Sequence, residues 1–422
     1  MGGKKQLMNF DDKEMFIKDR KYHTYYPFEM NNCKSANSIV NIVCNCADSI
    51  INLKNSYLRV TGTVKKTGGG SIDTIHPVEG FILGLFSEAK FVLGTGVAES
   101  VRYSHLNSIF KCFLFHSKTE LRNSLAGFIG GRRESDVVDA NGCWEVIIPL
   151  HLLFDIAKIN DFIYYTRLEI ILQRCADDSN FARRQNKIKK GADNVSVEEV
   201  STETAEVTFT KIGVTLEHIS LESDATSKIL NSISKNVLQP FVFQKTSIFL
   251  YPNITNVTRI TVPLKTFSFK SLPQYIIVGF TRMTVNEWRY PYSDLTNNNC
   301  EQVTVYCNAT AFPSDPWLVD LSKHQTSQMY MQYTKLYQFY RKNSQDLDVA
   351  LSKSEFDSKF PLFIIPINSK LINPLSSSID LSIEMQANQT GFVNGSTAVF
   401  SMLYTEHFNF SILQSEILNV LE

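Results

Sequence analysis

His151 and Asp155 are the residues of this chain whose types and spacing come nearest to part of a catalytic or metal-binding set. Such a pair could share a proton or a metal ion if other groups converged on it in the fold. The remaining histidines stand alone, with no His-x-His grouping, at positions 23, 76, 105, 116, 218, 324 and 407. We therefore expect His151 to pack or to hydrogen-bond at the end of a strand, and we predict no catalytic, cofactor-binding or metal-binding residue.

The eight cysteines contain no CxxC pair. The closest spacing is that of Cys44 and Cys46, which alternation along a strand would place on one face. A zinc site needs more thiolate or imidazole ligands than these two residues supply. We interpret the cysteines as small apolar residues of reduced cores.

The other candidates for chemistry are the glycine run Gly68-Gly69-Gly70 and the acidic pairs Asp11-Asp12 and Asp177-Asp178. The glycine run lacks the following lysine and Ser/Thr of a phosphate loop, so we interpret it as a linker. Catalytic carboxylates need rigid placement, and the acidic pairs lie in segments of flexible composition. Because GxSxG, HExxH and GxGxxG motifs are also absent, the sequence favours a protein that is not an enzyme.

The composition limits the partners of the chain. Lys plus Arg and Asp plus Glu each number 42 in 422 residues, so no overall field attracts nucleic acid or an anionic membrane, and we expect no sequence-specific nucleic-acid binding. Phe and Tyr are abundant, at 29 and 17, which favours broad sheet surfaces and extensive interfaces. No stretch approaches the roughly 20 apolar residues of a transmembrane segment, and the first residues do not resemble a signal peptide.

Two polar segments interrupt the rest of the chain. Residues 1–37 are polar and then aromatic, and we interpret them as an N-terminal arm that folds back onto its own domain or reaches a neighbour. Residues 176–205 carry a basic run followed by an acidic run, which is typical of a solvated loop that neutralises its own charge. A nucleic-acid patch is the alternative interpretation of that basic run.

Short strands with turn signals dominate the remaining sequence. Tyr57 to Thr61 and Thr258 to Leu264 alternate with a period of two, which fits half-buried strands. A helical stripe runs from Leu106 to Leu114, and a second one from Met329 to Tyr340. Many strands and few helices predict an all-β protein built from barrels or sandwiches.

The same order of elements occurs twice. A strand and turn at 91–94, a helix at 103–116 and strands at 147–150 and 168–173 correspond to 305–308, 325–342, 364–367 and 381–386. The repeat predicts a duplicated β domain. We expect the first copy to span residues 38–215 and the second to span 216–422, with Ser223 and Asp224 capping a short helix that ends near Val237.

Particular residues of the first copy resemble a known family. Residues 80–94, followed by 103–110, resemble a strand and Tyr-led helix of double jelly-roll major capsid proteins, and in particular of the Polinton (Maverick), adintovirus and virophage-like group. Ile148-Pro149-Leu150-His151 resembles the Pro-Leu-His strand of the same proteins.

The second copy carries a matching segment. Residues 303–308, with Phe312-Pro313 and Leu318, are similar to the strand and turn that precede a Tyr-rich helix in that family. The similarity extends over most of residues 38–410. It implies two tandem eight-stranded jelly rolls with a few short helices in loops.

The resemblance also implies a function. Three chains would form a homotrimeric, pseudo-hexameric capsomer of an icosahedral viral or virus-like shell, located in the virion and made in the host cytoplasm or nucleus. Neighbouring capsomers, penton proteins and minor capsid proteins would be its partners, and no cofactor is implied. The alternative is a lectin-like, receptor-binding or ligand-binding β-sandwich, in which the loop with Trp288, Tyr290 and Tyr292 contacts the ligand.

Overall fold

The structure is a computed structural model of the chain. It describes residues 16–29, 36–67, 75–77, 80–123, 126, 138–159, 161–176, 178, 182–184, 187–190, 196–199, 205–264, 267–268, 272–281, 295–341, 348–372 and 378–419.

Strands make up most of both halves. The first half contains β1 (Ile17–Tyr25), β2 (Ile39–Cys44), β3 (Ile50–Lys66), β4 (Ile75–Pro77), β5 (Phe86–Leu93), β6 (Gly96–Arg102), β7 (Cys143–Pro149), β8 (Ile163–Tyr164), β9 (Leu168–Arg174), β10 (Ala182–Arg184), β11 (Lys187–Lys190), β12 (Ser196–Glu199) and β13 (Ala205–Leu221). The second half contains β14 (Gln239–Ile254), β15 (Arg259–Pro263), β16 (Phe267–Ser268), β17 (Tyr275–Thr281), β18 (Leu295–Thr296), β19 (Cys300–Cys307), β20 (Thr310–Phe312), β21 (Phe363–Pro366), β22 (Ser378–Ile379), β23 (Leu381–Ala387), β24 (Ser396–Ser411) and β25 (Glu416–Asn419).

The helices are few and lie in the connections. They are α1 (Ser104–Phe115), α2 (Lys118–Asn123), α3 (Leu150–Leu153), α4 (Ser223–Ser234), α5 (Ser327–Tyr340) and α6 (Lys353–Lys359), with 3₁₀ turns at Leu83–Leu85, Asp155–Lys158 and Ser369–Leu371.

Each half forms two antiparallel sheets with the same strand order. In the first half the sheets run β1-β13-β3-β7 and β2-β9-β5-β6; in the second they run β14-β24-β17-β21 and β15-β23-β19-β20. Each half has eight main strands, numbered here by their order along the chain. In both halves, one sheet has the order first, eighth, third, sixth, and the other has the order second, seventh, fourth, fifth. This is the jelly-roll order, so the predicted all-β fold of two tandem jelly rolls is confirmed.

The repeated order of elements has a simple structural meaning. In each jelly roll it consists of the fourth and fifth strands, a helix, the sixth strand and the seventh strand, with α1 and α5 as the two equivalent helices. The strands themselves follow from alternation. On β3, Leu58 and Val60 face the core while Tyr57 and Arg59 face outward.

The strand pairing includes residues of the expected arm and runs across the expected boundary. The expected arm at 1–37 contains β1, which pairs with β13 over Ile17–Tyr25 and is the first strand of the first jelly roll. Strand β13 continues through the expected boundary near residue 216 and ends at Leu221, because its last residues pair with β1 and with the start of β3.

Two smaller expectations also need adjustment. Helix α4 begins at Ser223, but its N-cap residue is Glu222, whose side chain makes no capping hydrogen bond, and the helix ends at Ser234. In the expected loop at 176–205, β11 pairs with β12 so that Lys187 lies opposite Glu199 and Ile188 opposite Glu198. The basic run is therefore paired along its backbone with the acidic run.

Candidate functional site

The two jelly rolls meet along a buried junction that contains Asp155. This residue begins the 3₁₀ turn after α3 and is completely buried. Its Oδ2 accepts hydrogen bonds from the backbone N–H of Thr246, at 2.9 Å, and from the hydroxyl of Thr246, at 2.8 Å. Because Thr246 lies on β14, the carboxylate that the sequence singled out connects the two jelly rolls.

Two lysines neutralise this carboxylate. The Nζ atom of Lys111, on α1, lies 3.1 Å from Oδ1 of Asp155, and that of Lys158 lies 2.8 Å from the same oxygen. Burial acts to raise the pKa of Asp155, but the two lysines outweigh burial and hold the pKa below its usual value. Burial lowers the pKa of Lys111 despite the attraction of Asp155. Asp155 therefore remains ionised as the centre of a charged junction.

Glu99, on β6, is the fourth charged residue at this junction. Its Oε1 accepts a hydrogen bond of 2.9 Å from the backbone N–H of Asp155, and its Oε2 accepts one of 2.8 Å from that of Ile156. Burial and, next, the charge of Asp155 raise the pKa of Glu99. We call Glu99, Lys111, Asp155 and Lys158 the junction charge cluster. Its members contact one another and the backbone of the first jelly roll, and Asp155 extends the network to Thr246 of the second.

His151 does not act on Asp155. Its ring stacks on that of His116, with centroids 5.4 Å apart, and it makes no hydrogen bond to Asp155 in the described chain. Burial, followed by the charges of His116 and Lys158, lowers the pKa of His151 to about 3. The imidazole is therefore neutral near pH 7 and packs at the junction, directly after the end of β7.

Within the described chain, no cysteine forms a disulfide bond. Six of them are buried, namely Cys44, Cys46, Cys112, Cys175, Cys300 and Cys307, and Cys143 is exposed. Burial raises the pKa of the Cys46 thiol to about 11. Over the described ranges, no three His, Cys, Asp or Glu side chains converge in a way that could hold a metal ion.

Several sequence candidates lie outside the described residues: Gly68-Gly69-Gly70, Asp11-Asp12, Asp177 and the loop with Trp288, Tyr290 and Tyr292. The ligand-binding alternative depends on that last loop. In the described part of the chain, no helix is both long and apolar enough to cross a membrane.

Aromatic side chains surround the charge cluster at the junction. Phe110 of α1 contacts Phe360 with ring centroids 5.2 Å apart, and Phe115 stacks on Tyr340 at 4.0 Å. At the edge, Arg341 pairs with Glu120 at 2.7 Å. The junction therefore combines a hydrophobic centre with a polar rim, as stable protein interfaces do.

Comparison with known proteins agrees with this architecture. The double jelly roll-like domain family matches residues 78–407. The chain belongs to the double jelly roll-like family. No curated protein matches it by sequence.

Solved structures share the fold of this double jelly-roll chain at low identity. A chain in the structure of the Sputnik virophage matches with a TM-score of 0.57 and 10% identity, over 96% of this chain and 90% of that one. The mavirus major capsid protein matches with a TM-score of 0.54 and 10% identity, over 95% and 90%. The Faustovirus major capsid protein matches with a TM-score of 0.54 and 9% identity, over 92% and 90%.

The sequence interpretation overlooked most of the residues that matter at the junction. Lys111 had a detectable signal, since it is a single charged residue in the otherwise apolar run from Ile109 to Phe115. Glu99 and Thr246 had no such signal. They lie on ordinary strands, and distant parts of the chain bring their partners to them: the turn at Asp155 and Ile156 for Glu99, and Asp155 of the other jelly roll for Thr246.

Proposed function

We propose that this double jelly-roll protein is a major capsid protein, the main building block of an icosahedral viral or virus-derived shell. The observation that carries the proposal is the pair of complete jelly rolls with one strand order, joined through a buried junction. Proteins that share the fold include the major capsid proteins of mavirus and Faustovirus. The charged groups of the junction are used in structural contacts, which suits a structural rather than an enzymatic role.

The working unit that we propose is a homotrimer. The junction within the chain is heterologous, because the first jelly roll enters it with α1 and the turn at Asp155 while the second enters with β14 and α5. Heterologous contacts that repeat around an axis close into a ring. Three chains would supply six jelly rolls, and a ring of six has the pseudo-hexagonal outline that tiles a shell.

The same proposal predicts the partners and the location of the trimer. Its neighbours would be further trimers and, at special positions of the shell, penton and minor capsid proteins, and its location would be the virion. The equal numbers of acidic and basic residues, 42 each, support a shell protein without sequence-specific nucleic-acid binding.

We also propose a division of the chain into domains at α4. The last strand of the first jelly roll ends at Leu221 and the first strand of the second begins at Gln239, so the connection is the helix between them. The first domain would then include β1, which pairs with β13.

Light scattering and negative-stain microscopy of the purified full chain test the proposed function. We expect a particle of three times 48.0 kDa in solution and hexagonal capsomers or closed shells on the grid. A chain that stays monomeric at high concentration and forms no capsomer would refute the proposal. A monomer that binds specific glycans, and loses that binding in Trp288→Ala, would favour the lectin-like alternative.

A further inference from the structure

We infer that copies of this chain bind by placing the exposed side of helix α5 of one copy on a tyrosine-rich face of the first jelly roll of the next, so that the contact between copies repeats the junction within the chain. The inference rests on the proposed trimer and adds the two surfaces that meet.

The first observation is a difference between equivalent helices. In α1, 11 of the 12 residues are buried, because its own jelly roll covers one side and the second jelly roll covers the other. In α5, only 5 of the 14 residues are buried. Its uncovered side consists of Gln328, Met331, Lys335 and Phe339, which we call the free helix face. Met331 and Phe339 are each 42% exposed.

The second observation is a difference between equivalent sheets. In the second jelly roll, Ile248, Ile277 and Ser401 pair across β14, β24 and β17. They lie on the side that faces α1, because Gly279, two residues after Ile277 on β17, points its Cβ position towards Phe110. They are at most 6% exposed, because the first jelly roll covers that side. The matching outer side of the first jelly roll lies on β1, β13 and β3. No part of the described chain covers its exposed side chains.

This uncovered side has the composition of an interface. Its strands present Tyr22, Tyr57 and Arg59, and Tyr26, directly after β1, lies against Gly213 of β13 beside them; we call these four residues the tyrosine face. Tyr22 is 56% exposed and Tyr26 is 46% exposed. The rings are held in place, since the hydroxyl of Tyr22 donates to Glu217 at 3.3 Å and the ring of Tyr22 lies 6.4 Å from that of Tyr57. Tyrosine and arginine are enriched at protein interfaces; tyrosine offers a large contact area with only two rotatable side-chain bonds, and arginine offers several hydrogen-bond donors on a planar group.

The two faces are chemically complementary. The free helix face offers a methionine and a phenylalanine, which pack on tyrosine rings, and a lysine that can lie over a ring face. The tyrosine face already holds one such contact, since Nζ of Lys211 lies 4.8 Å from the centroid of Tyr26. Leu371 adds apolar area. It is 62% exposed and follows the sixth strand of the second jelly roll, as Asp155 follows the sixth strand of the first.

The contact between copies also differs from the internal junction. The segment Asn368-Ser369-Lys370-Leu371 contains no carboxylate, whereas the segment after β7 supplies Asp155 to the junction charge cluster. The proposed contact therefore lacks the buried carboxylate of the internal junction and depends on aromatic and apolar side chains, with the cations Lys335 and Arg59 beside them.

Paired variants test the assignment of both faces. Met331→Arg alters the free helix face and Tyr26→Arg alters the tyrosine face, and both positions are exposed, so each variant should fold. We expect each variant alone to lose the trimer and to scatter as a particle of 48.0 kDa. Mixed in equal amounts, they should form a dimer, because each retains the face that the other lacks. The control is Leu230→Arg, on exposed α4 outside both faces, which should remain trimeric.

The outcomes separate this inference from the proposed function. Trimers formed by either variant, or a mixture that remains monomeric, would overturn the assignment of the faces while leaving a trimeric wild-type protein as a capsid candidate. A monomeric wild-type protein would overturn both. Circular dichroism of each variant confirms folding, and formation of the mixed dimer is a second, independent sign of it.

Discussion

The hydroxyl of Tyr333 donates a hydrogen bond of 2.8 Å to the backbone carbonyl oxygen of Phe113. Tyr333 belongs to α5 of the second jelly roll and Phe113 to α1 of the first, so this bond joins the two equivalent helices of the duplicated fold. The same hydroxyl accepts a hydrogen bond of 3.3 Å from the backbone N–H of Leu351. A single buried oxygen thus satisfies two backbone groups.

We expect Tyr333→Phe to destabilise the fold without changing its shape. The substitution leaves a buried carbonyl and a buried N–H without a partner, at a cost of about 1–3 kcal/mol in free energy of unfolding. Urea unfolding at fixed protein concentration measures this change. The matched control is Tyr306→Phe on β19, which should change stability by less than about 0.5 kcal/mol. Equal effects of the two substitutions would contradict the role assigned to Tyr333.

Removing the charge of Asp155 should be more damaging. In Asp155→Asn, the buried ammonium group of Lys111 loses its counter-ion, and breaking a buried pair in this way costs about 3–5 kcal/mol. The double variant Asp155→Asn with Lys111→Met removes the uncompensated charge and should recover part of the loss. Urea unfolding of Asp155→Asn, of Lys111→Met alone and of the double variant completes the comparison. If the double variant is as unstable as the sum of the single ones, the two side chains are not coupled.

The junction should weaken in acid. Burial lowers the pKa of His151 to about 3 and also lowers that of His116, so both bind protons less readily in the folded state than in the unfolded state. The contribution of the two histidines to the free energy of unfolding should therefore be complete above the pKa of an unfolded histidine, near 6.5. It should be lost as the pH falls from there towards 3. Each histidine contributes at most about 1.4 kcal/mol per pH unit to the slope.

A second acid transition should follow at lower pH. His116 and, further, Arg341 lower the pKa of Glu120 to about 2, although burial opposes them, so its stabilising charge is present above about 4.5 and is lost as the pH falls towards 2. Thermal melts from pH 7 to pH 2 measure both slopes. His151→Phe should reduce the pH dependence of the melting temperature between pH 6.5 and 4. An unchanged slope in this variant would show that the histidine stack does not titrate as described.

The turn at Gly94 should tolerate no side chain. Gly94 has a φ of +63°, and a Cβ atom there would collide with the backbone carbonyl of Ser415 in the second jelly roll. Gly395 also has a positive φ, of +79°, but no atom lies within 4 Å of the position that its Cβ atom would take. Gly395→Ala should therefore cost only the left-handed strain of about 1–2 kcal/mol, whereas Gly94→Ala should cost clearly more. Calorimetric melting compares the two; equal losses would mean that the turn moves away from Ser415 freely.

Thiol labelling should report the burial of the cysteines. In a Cys33→Ser background, native protein should react rapidly at the exposed Cys143 and slowly at the buried Cys44, Cys46, Cys112, Cys175, Cys300 and Cys307. Burial raises the pKa of Cys46 to about 11 and that of Cys307 to about 12, which keeps both thiols protonated near pH 7. Mass spectrometry counts the labels, and rapid labelling of more than one thiol would contradict the packed cores.

Some elements were predictable because their signal is local. The stripe on α1 and the alternation on β3 repeat within a few residues, and the helix and strand occur where those periods place them. Strand β1 carries no such signal. Six consecutive residues of its nine, from Lys18 to His23, are exposed, so buried and exposed positions do not alternate and the sequence predicts an arm there instead of a strand.

The sequence by itself determined the all-β class, the duplicated order of elements and the absence of a recognisable catalytic motif, because periodicity, turn residues and motif spacing are properties of neighbouring positions. Only the tertiary structure decided that β1 closes the first jelly roll and that Asp155 bonds to Thr246, 91 residues away. It also decided that one helix of the duplicated pair is buried while the other keeps a free face. These relationships depend on which distant surfaces pack together, and residues brought together by packing need carry no shared pattern along the chain.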